Sequence, residues 1–149
     1  MTPSLNTVWP ALVPELLVRD TAQSRRFYCD LLGFCVRFAR DEDRFVYLER
    51  GQAHLMLDTF DAVDQDAWVV APMNYPFGRG MNLQLEVEDL DTILERLELS
   101  GYHLFRPLMD SAYSEGDITH RQRECLVQDP DGYLIRLAEI SDPDPDPLP

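Results

Sequence analysis

Cysteine, basic residues and long apolar runs are all scarce in this sequence. The 149 residues include three cysteines, Cys29, Cys35 and Cys125, whose spacing fits neither a zinc finger nor a redox motif. We therefore expect reduced and mostly buried thiols. No apolar run approaches the ~20 residues that a membrane span needs, and residues 1–10 lack the basic and apolar segments of a signal peptide. These absences predict a cytoplasmic protein with no membrane partner.

The shortage of basic residues restricts the partners further. Lysine and arginine together number 13 against 27 aspartates and glutamates, which gives a net charge of −14. Such a protein would repel a phosphate backbone, so nucleic acid is not expected as a partner. A cationic or zwitterionic small molecule suits this charge better, although solubility alone also explains many acidic surfaces.

Familiar catalytic motifs are missing as well. Serine, histidine and aspartate all occur, but no serine lies in the nucleophile-elbow pattern of a strand-to-helix turn. Residues 78–80 read Gly-Arg-Gly, which is too short for a phosphate loop and leads into a predicted strand rather than a helix. Motifs therefore assign no catalytic residue to this chain.

What the chain does contain is an internal repeat. The segment PELLVRD (14–20) recurs in outline as LQLEVED (83–89), at an offset of 69 residues (84 − 15) that superposes Leu16 on Leu85 and Val18 on Val87. A helical pattern follows each copy. Because units this small cannot bury their own apolar faces, we expect the two to pack together and form a cleft.

Each copy has the pattern of a strand followed by a helix. Alternating apolar residues predict the strand, an aspartate (Asp20 or Asp89) stands at the N-cap position, and a glycine (Gly33 or Gly101) ends the helix. Further strands are predicted at 35–39, 45–49 and 54–58 in the first half, and at 124–128 and 134–138 in the second. The patterns together predict an α+β fold of two βαβββ modules, at about 11–58 and 81–140 of a single domain, 1–140.

Two long connections and the C-terminus complete the chain. Residues 59–80 join the modules and carry Trp68 and Tyr75, and a second predicted loop, 105–122, carries Tyr113 and His120. Loops this long usually bind or cover something or contact another subunit, although their aromatic side chains can also simply fix the loop to the core. Residues 141–149 alternate aspartate with proline, which predicts a disordered acidic tail.

Three segments of the chain resemble a known family. PELLVRDTAQSRRFYCDLLGF (14–34), LEVEDLDTILERLELSGY (85–102) and VQDPDGYLIRL (127–137) resemble the vicinal oxygen chelate superfamily of glyoxalases, extradiol dioxygenases and bleomycin resistance proteins. The resemblance extends over residues 12–140. It implies paired βαβββ modules whose curved mixed sheets enclose a cleft, but no particular activity, since this fold supports unrelated chemistries.

The resemblance also implies where a metal ion would bind. Metal enzymes of the superfamily place ligands at four equivalent strand positions, which fall here on Val13, Met56, Asn82 and Arg136. Valine has no donor atom, a thioether suits soft metals only, and a guanidinium opposes a cation. The chain therefore resembles the metal-free bleomycin resistance branch, and we expect neither a metal nor another cofactor.

Alternation along the strands predicts which side chains face the cleft. The residues expected to bind a ligand are Glu15, Tyr47, His54, Asp58, Trp68, Asn82, Gln84, Glu86, Tyr113 and Arg136. The set is polar and mainly acidic with aromatic walls, although each member taken alone could be an ordinary solvated strand residue. Arg136 is expected to pair with Glu15, Asp58 or Glu86 while the site is empty.

This set favours a protein that sequesters a cationic or aromatic small organic molecule without changing it. The alternative is a metal-dependent lyase or dioxygenase with a shifted ligand set of Glu15, His54, Asp58 and Glu86. A third interpretation is an interaction protein whose cleft is vestigial. The resemblance also implies a homodimer, because members of the superfamily usually complete the cleft with a second subunit.

Overall fold

The computed structural model of the protein describes residues 9–40, 42, 44–60, 69–70 and 72–141. Trp68 and residues 142–149 of the predicted tail lie outside the described residues. The chain divides into two compact units, Met1–Phe77 and Gly78–Pro149. None of the described helices is long and apolar enough to cross a bilayer.

The first unit is a four-stranded mixed sheet with one helical segment. Its elements are β1 (Glu15–Val18), α1 (Thr21–Arg25), a π-helical continuation of α1 (Arg26–Leu31), β2 (Cys35–Arg40), β3 (Phe45–Arg50) and β4 (Ala53–Thr59). The strand order is β1-β4-β3-β2, with β1 parallel to β4 and the other pairs antiparallel. A strand, a helix and three strands thus form a βαβββ module.

The second unit repeats this topology. Its elements are β5 (Asn82–Glu86), α2 (Leu90–Leu99), β6 (Leu104–Glu115), β7 (Ile118–Gln128) and β8 (Leu134–Ser141). The order is β5-β8-β7-β6, and again the first strand is parallel to the last. Leu16 and Leu85, which the 69-residue offset superposes, occupy equivalent places, since Leu16 pairs with Leu57 on the last strand of the first module and Leu85 with Leu137 on the last strand of the second. The predicted α+β fold of two βαβββ modules is confirmed.

The residues predicted to begin and end the helices do so. Asp20 accepts hydrogen bonds from the backbone N–H groups of Ala22 and Gln23, and Asp89 accepts one from Thr92. These carboxylates satisfy donors that the first helical turn leaves unpaired. Gly33 and Gly101 have φ angles of +80° and +77°, the left-handed conformation that lets glycine end a helix.

In each unit the helix packs on one face of the sheet and covers the apolar core. The side chains fully buried there alternate along the strands and recur on the helices: Leu16, Val18, Leu57, Phe27 and Tyr28 in the first unit, and Val87, Leu90, Leu97, Val127 and Leu137 in the second. Burial stabilises each such side chain by roughly 1.5–3 kcal/mol. The opposite face of each sheet carries the polar residues.

The prediction of a loop at 105–122 is wrong. Almost all of this segment belongs to the long antiparallel strands β6 and β7, which turn at Gly116 (φ +61°). Most residues of β6 are exposed and Pro107 interrupts it, so the apolar alternation that marks a half-buried strand is absent. The pairing of β6 with β7 shapes this segment instead, and Tyr113 and His120 are strand residues.

Tyr75 lies in the connection between the modules. It is 54% exposed, and the guanidinium of Arg19 stands 5.4 Å from its ring centroid. That cation–π contact holds the tyrosine to the end of β1.

Candidate functional site

Four predicted site residues share one face of the first sheet. In the register of the strands, Glu15 and Tyr47 both lie beside Met56, while Asp58 lies beside Phe45 and His54 beside Glu49. Residues directly opposite one another on paired strands point to the same side of a sheet. Glu15, Tyr47, His54 and Asp58 therefore occupy the face away from the helix, as predicted.

Tyr47 is the centre of an aromatic cluster on this face. Its ring stacks on Phe38 at 5.2 Å between centroids and meets Trp9 edge-on at 4.9 Å. Its hydroxyl is 2.9 Å from Nδ1 of His54. Burial raises the pKa of Tyr47, although the charge of Arg37 opposes this effect. The phenol is therefore neutral at physiological pH, and only 3% of the residue is exposed.

An arginine packs against the same aromatic cluster. The Arg37 guanidinium stands 3.9 Å from the centroid of the Trp9 ring and 3.4 Å from the buried carboxylate of Glu49. Sequence reasoning missed Trp9, Arg37 and Glu49. Alternation could have identified Glu49, because it lies two residues beyond Tyr47 on the same strand. Trp9 lies before the first strand, where no periodic pattern reaches it.

Glu15 and Asp58 form a pair of interacting carboxylates. Burial raises the pKa of Glu15 most, the negative charge of Asp58 raises it further, and Arg40 opposes both effects. A second negative charge beside Glu15 favours binding of a cation here, because the cation relieves the repulsion. The first unit thus offers aromatic surface and negative charge on one face.

The second sheet likewise collects its predicted site residues on one face. Gln84 lies beside Arg136, Asn82 beside Leu134 and Glu86 beside Ala138, while Tyr113 lies two positions from Ser111 on β6. Asn82, Gln84 and Glu86 are exposed, and Tyr113 is 45% exposed. Trp68 lies outside the described residues, so its predicted role in ligand binding stays a prediction.

A buried carboxylate that sequence reasoning missed organises this second face. Glu124 is 4% exposed, and its Oε1 accepts hydrogen bonds from the hydroxyls of Tyr113 (2.8 Å) and Ser111 (2.9 Å). Its Oε2 accepts a hydrogen bond from Nε2 of Gln122. Burial by itself raises the pKa of Glu124, but these three donors and the charge of Arg136 together lower it below its ordinary value. Glu124 is therefore ionised at neutral pH.

Within the second unit, Arg136 has a partner that was not expected. Its ion pair is with Glu124, at 3.9 Å between Nη1 and Oε2, rather than with Glu86, and a pairing with Glu15 or Asp58 stays a prediction. Leu126 on β7 lies beside Arg136 on β8, and Glu124 lies two residues from Leu126 on the same strand. The predicted strand 124–128 therefore already placed Glu124 on the same face as Arg136. No pattern in the sequence favoured Glu124 over the more exposed carboxylates, because burial depends on the neighbouring strands.

The four positions where the superfamily's metal enzymes carry ligands do not suit a divalent ion here. Arg136 brings a guanidinium next to Glu124, Met56 lies between Glu15 and Tyr47 in register, and Val13 and Asn82 bring no anionic donor. Across the part of the chain that the structure describes, no three His, Cys, Asp or Glu side chains group so as to hold a metal ion. His54, proposed for a shifted site, directs Nδ1 at Tyr47.

Comparisons with known proteins agree on the fold. Residues 11–137 match the model of the Glyoxalase/Bleomycin resistance protein/Dioxygenase superfamily. No curated protein matches the chain.

Several solved structures are similar in shape. A protein of unknown function from Agrobacterium tumefaciens is 26% identical, with a TM-score of 0.63 and coverage of 93% of this chain and 96% of that one. TioX from Micromonospora sp. ML1 is 20% identical (TM-score 0.60, coverage 86% and 96%). The fosfomycin resistance protein FosX from Mesorhizobium loti is 15% identical (TM-score 0.58, coverage 89% and 93%). At such low identity the last two show a shared fold alone.

Proposed function

The chain belongs to the glyoxalase/bleomycin resistance protein/dioxygenase superfamily, and on this premise we propose that it binds a small cationic or aromatic organic molecule without needing a metal ion. In this proposal the protein sequesters its ligand unchanged, as the bleomycin resistance branch does. Protection against a toxic compound such as an antibiotic is the physiological role that such binding would serve.

One observation carries the proposal. The aromatic cluster of Trp9, Phe38 and Tyr47 lies on the same sheet face as the carboxylates Glu15 and Asp58. A flat cation could gain apolar contact from exposed ring surface, since Trp9 and Phe38 are 51% and 38% exposed, and charge complementarity from the acidic pair. The net charge of −14 would also raise the local concentration of a cationic ligand.

The chemistry of the ligand positions supports the metal-free part of the proposal. A metal enzyme of this superfamily needs hard, anionic or imidazole donors that converge on one ion. Arg136, Met56, Val13 and Asn82 do not meet this need, and no observation on the described residues favours the shifted set instead. We therefore propose binding rather than a metal-assisted reaction.

Thermal unfolding with matched probes tests the proposal. Proflavine, a planar cation, should raise the melting temperature in a concentration-dependent way, and 2-naphthol, an uncharged planar aromatic, should raise it less. Bleomycin belongs in the same series. Glu15→Gln and Asp58→Asn should each reduce the shift given by proflavine, because each removes one negative charge from the aromatic face.

Glu98→Gln is the matched control, since Glu98 is exposed on α2 in the second unit and changes the net charge equally. Its proflavine shift should equal that of the unmodified protein. If Glu15→Gln and Glu98→Gln reduced the shift equally, only overall charge would matter and the assignment of this face would be withdrawn.

A further inference from the structure

Arg136 has hydrogen-bonding capacity that the described residues do not use. Its Nε is buried and has no hydrogen-bond partner among them. Its ion pair with Glu124, at 3.9 Å, is too long for a hydrogen bond. A guanidinium carries five N–H donors, and a buried donor without a partner is costly. The side chain is 31% exposed, so a solute can reach it.

The hydrogen bonds of Glu124 explain why the donors of Arg136 are not used. Both oxygens of this carboxylate already accept hydrogen bonds from neutral neighbours, two at Oε1 and one at Oε2. The carboxylate therefore does not need Arg136 to satisfy it and holds the guanidinium only by charge. An arginine required solely to neutralise Glu124 would be expected to form the short, paired contact typical of arginine and carboxylate.

We propose that Arg136 binds the acid group of a small organic molecule on the face of the second sheet that carries Glu124 and Tyr113. The recognised chemistry is an oxyanion with two or more oxygens, a carboxylate or a phosphate ester, which the planar guanidinium can grip with two parallel hydrogen bonds. The Nε–H group would gain a hydrogen-bond acceptor once the guanidinium turns toward the ligand. This inference goes beyond the proposed binding of a cation in the first unit.

Tyr113 fits the organic part of such a molecule. Its hydroxyl is fixed on Glu124, the carboxylate that also holds Arg136, and 45% of the residue is exposed. An aromatic acid could therefore place its ring against Tyr113 and its acid group on Arg136. The overall negative charge of the protein does not forbid this, because at physiological salt charges beyond about 8 Å are largely screened while a contacting guanidinium is not.

Titration with benzoate and phenyl phosphate, followed by calorimetry at physiological salt, tests the inference on the full chain. Both acids are expected to bind, and benzyl alcohol, which has no acid group, is not. Arg136→Lys keeps the positive charge beside Glu124 but loses the planar pair of N–H donors that can bind two oxygens at once. It should weaken acid binding by about tenfold or more. Arg96→Gln, on the exposed surface of α2, removes one positive charge elsewhere and should leave acid binding unchanged.

The melting temperature of Arg136→Lys in the absence of ligand reports whether that variant is folded, and proflavine binding should persist in it. If proflavine fails to bind the unmodified protein, that result contradicts the function proposed above but not the proposed acid site. The acid site would be overturned by an unmodified protein that binds neither acid, or by acid binding that Arg136→Lys leaves unchanged. Selective binding of phenyl phosphate over benzoate would identify the ligand as a phosphate ester.

Discussion

At the scale of single residues, Glu124 shows how a buried charge is stabilised by its immediate neighbours. Two hydroxyls and an amide donate to its oxygens, and Arg136 supplies the opposite charge at a longer distance. Such a carboxylate is stable because its hydrogen-bonding needs are met, and removing its charge would leave buried donors without an ionised acceptor.

Glu124→Gln should therefore destabilise the protein by about 1–3 kcal/mol near neutral pH. The folded-state pKa of Glu124 lies below its ordinary value of 4.5, so its contribution is present above that value and is lost as pH falls through the lower folded pKa. The difference in unfolding free energy between the two proteins should narrow as the pH falls below the ordinary value of 4.5.

Urea denaturation at several pH values measures this difference. Glu98→Gln serves as the control, because this glutamate is exposed. It should show little loss of stability at any pH. A difference between Glu124→Gln and the unmodified protein that stays constant as the pH falls well below 4.5 would show that ionisation of Glu124 does not contribute to stability.

At the scale of the elements, the turn between β7 and β8 depends on one aspartate. Oδ1 of Asp129 accepts hydrogen bonds from the backbone N–H groups of Asp131 and Tyr133, both at 2.9 Å, and Asp129 is only 3% exposed. Gly132 follows with a φ of +92°, which closes the turn. This arrangement sets the register in which Leu126 lies beside Arg136.

Asp129→Ala should cost about 2–4 kcal/mol, because two buried N–H groups lose their acceptor. Asp129→Asn keeps an acceptor oxygen and should cost clearly less. Urea denaturation at neutral pH compares the two variants. Equal losses would mean that the charge of Asp129, rather than its hydrogen bonds to the turn, stabilises the hairpin.

At the scale of the whole molecule, the side chains at the superfamily's ligand positions predict whether the purified protein contains a metal ion. We predict no stoichiometric metal, because Arg136 cannot lose its proton to become a ligand and its charge opposes a cation. Elemental analysis of protein purified without chelators or a metal-affinity tag measures this. One equivalent of zinc, iron or manganese per chain, retained after dialysis, would favour the shifted site around Glu15 and His54.

We also propose that the protein is a homodimer. β6 is an edge strand of twelve residues on which Phe105 and Leu108 are 53% and 40% exposed, and a long edge with apolar side chains favours association. An isologous interface burying more than about 1,000 Å² is expected. Light scattering at micromolar concentration measures the mass in solution.

Leu108→Asp should shift the dimer toward monomer, whereas Leu99→Asp, at the exposed end of α2, should not. A monomeric unmodified protein would contradict the proposed assembly. Dissociation by both variants alike would place the interface elsewhere.

The local pattern of the sequence determined the elements and their order. Strand alternation, the caps Asp20 and Asp89, and the glycines Gly33 and Gly101 act within a few residues of one another, so the chain encodes them without help from distant contacts. The same alternation placed Glu15, Tyr47, His54 and Asp58 on one face, and Gln84 and Arg136 on another. It failed at 105–122, where exposed strands leave no apolar period.

Which side chains meet depends on how the strands pair and pack. Glu124 receives donors from Ser111 and Tyr113 on the neighbouring strand, and Arg37 stands between Trp9 and Glu49, residues far apart in the chain. Such contacts depend on strand register and on the burial that surrounding elements impose. A linear pattern predicts the side of a strand to which a residue points, but its partner and its degree of burial follow only once the strands have paired and packed.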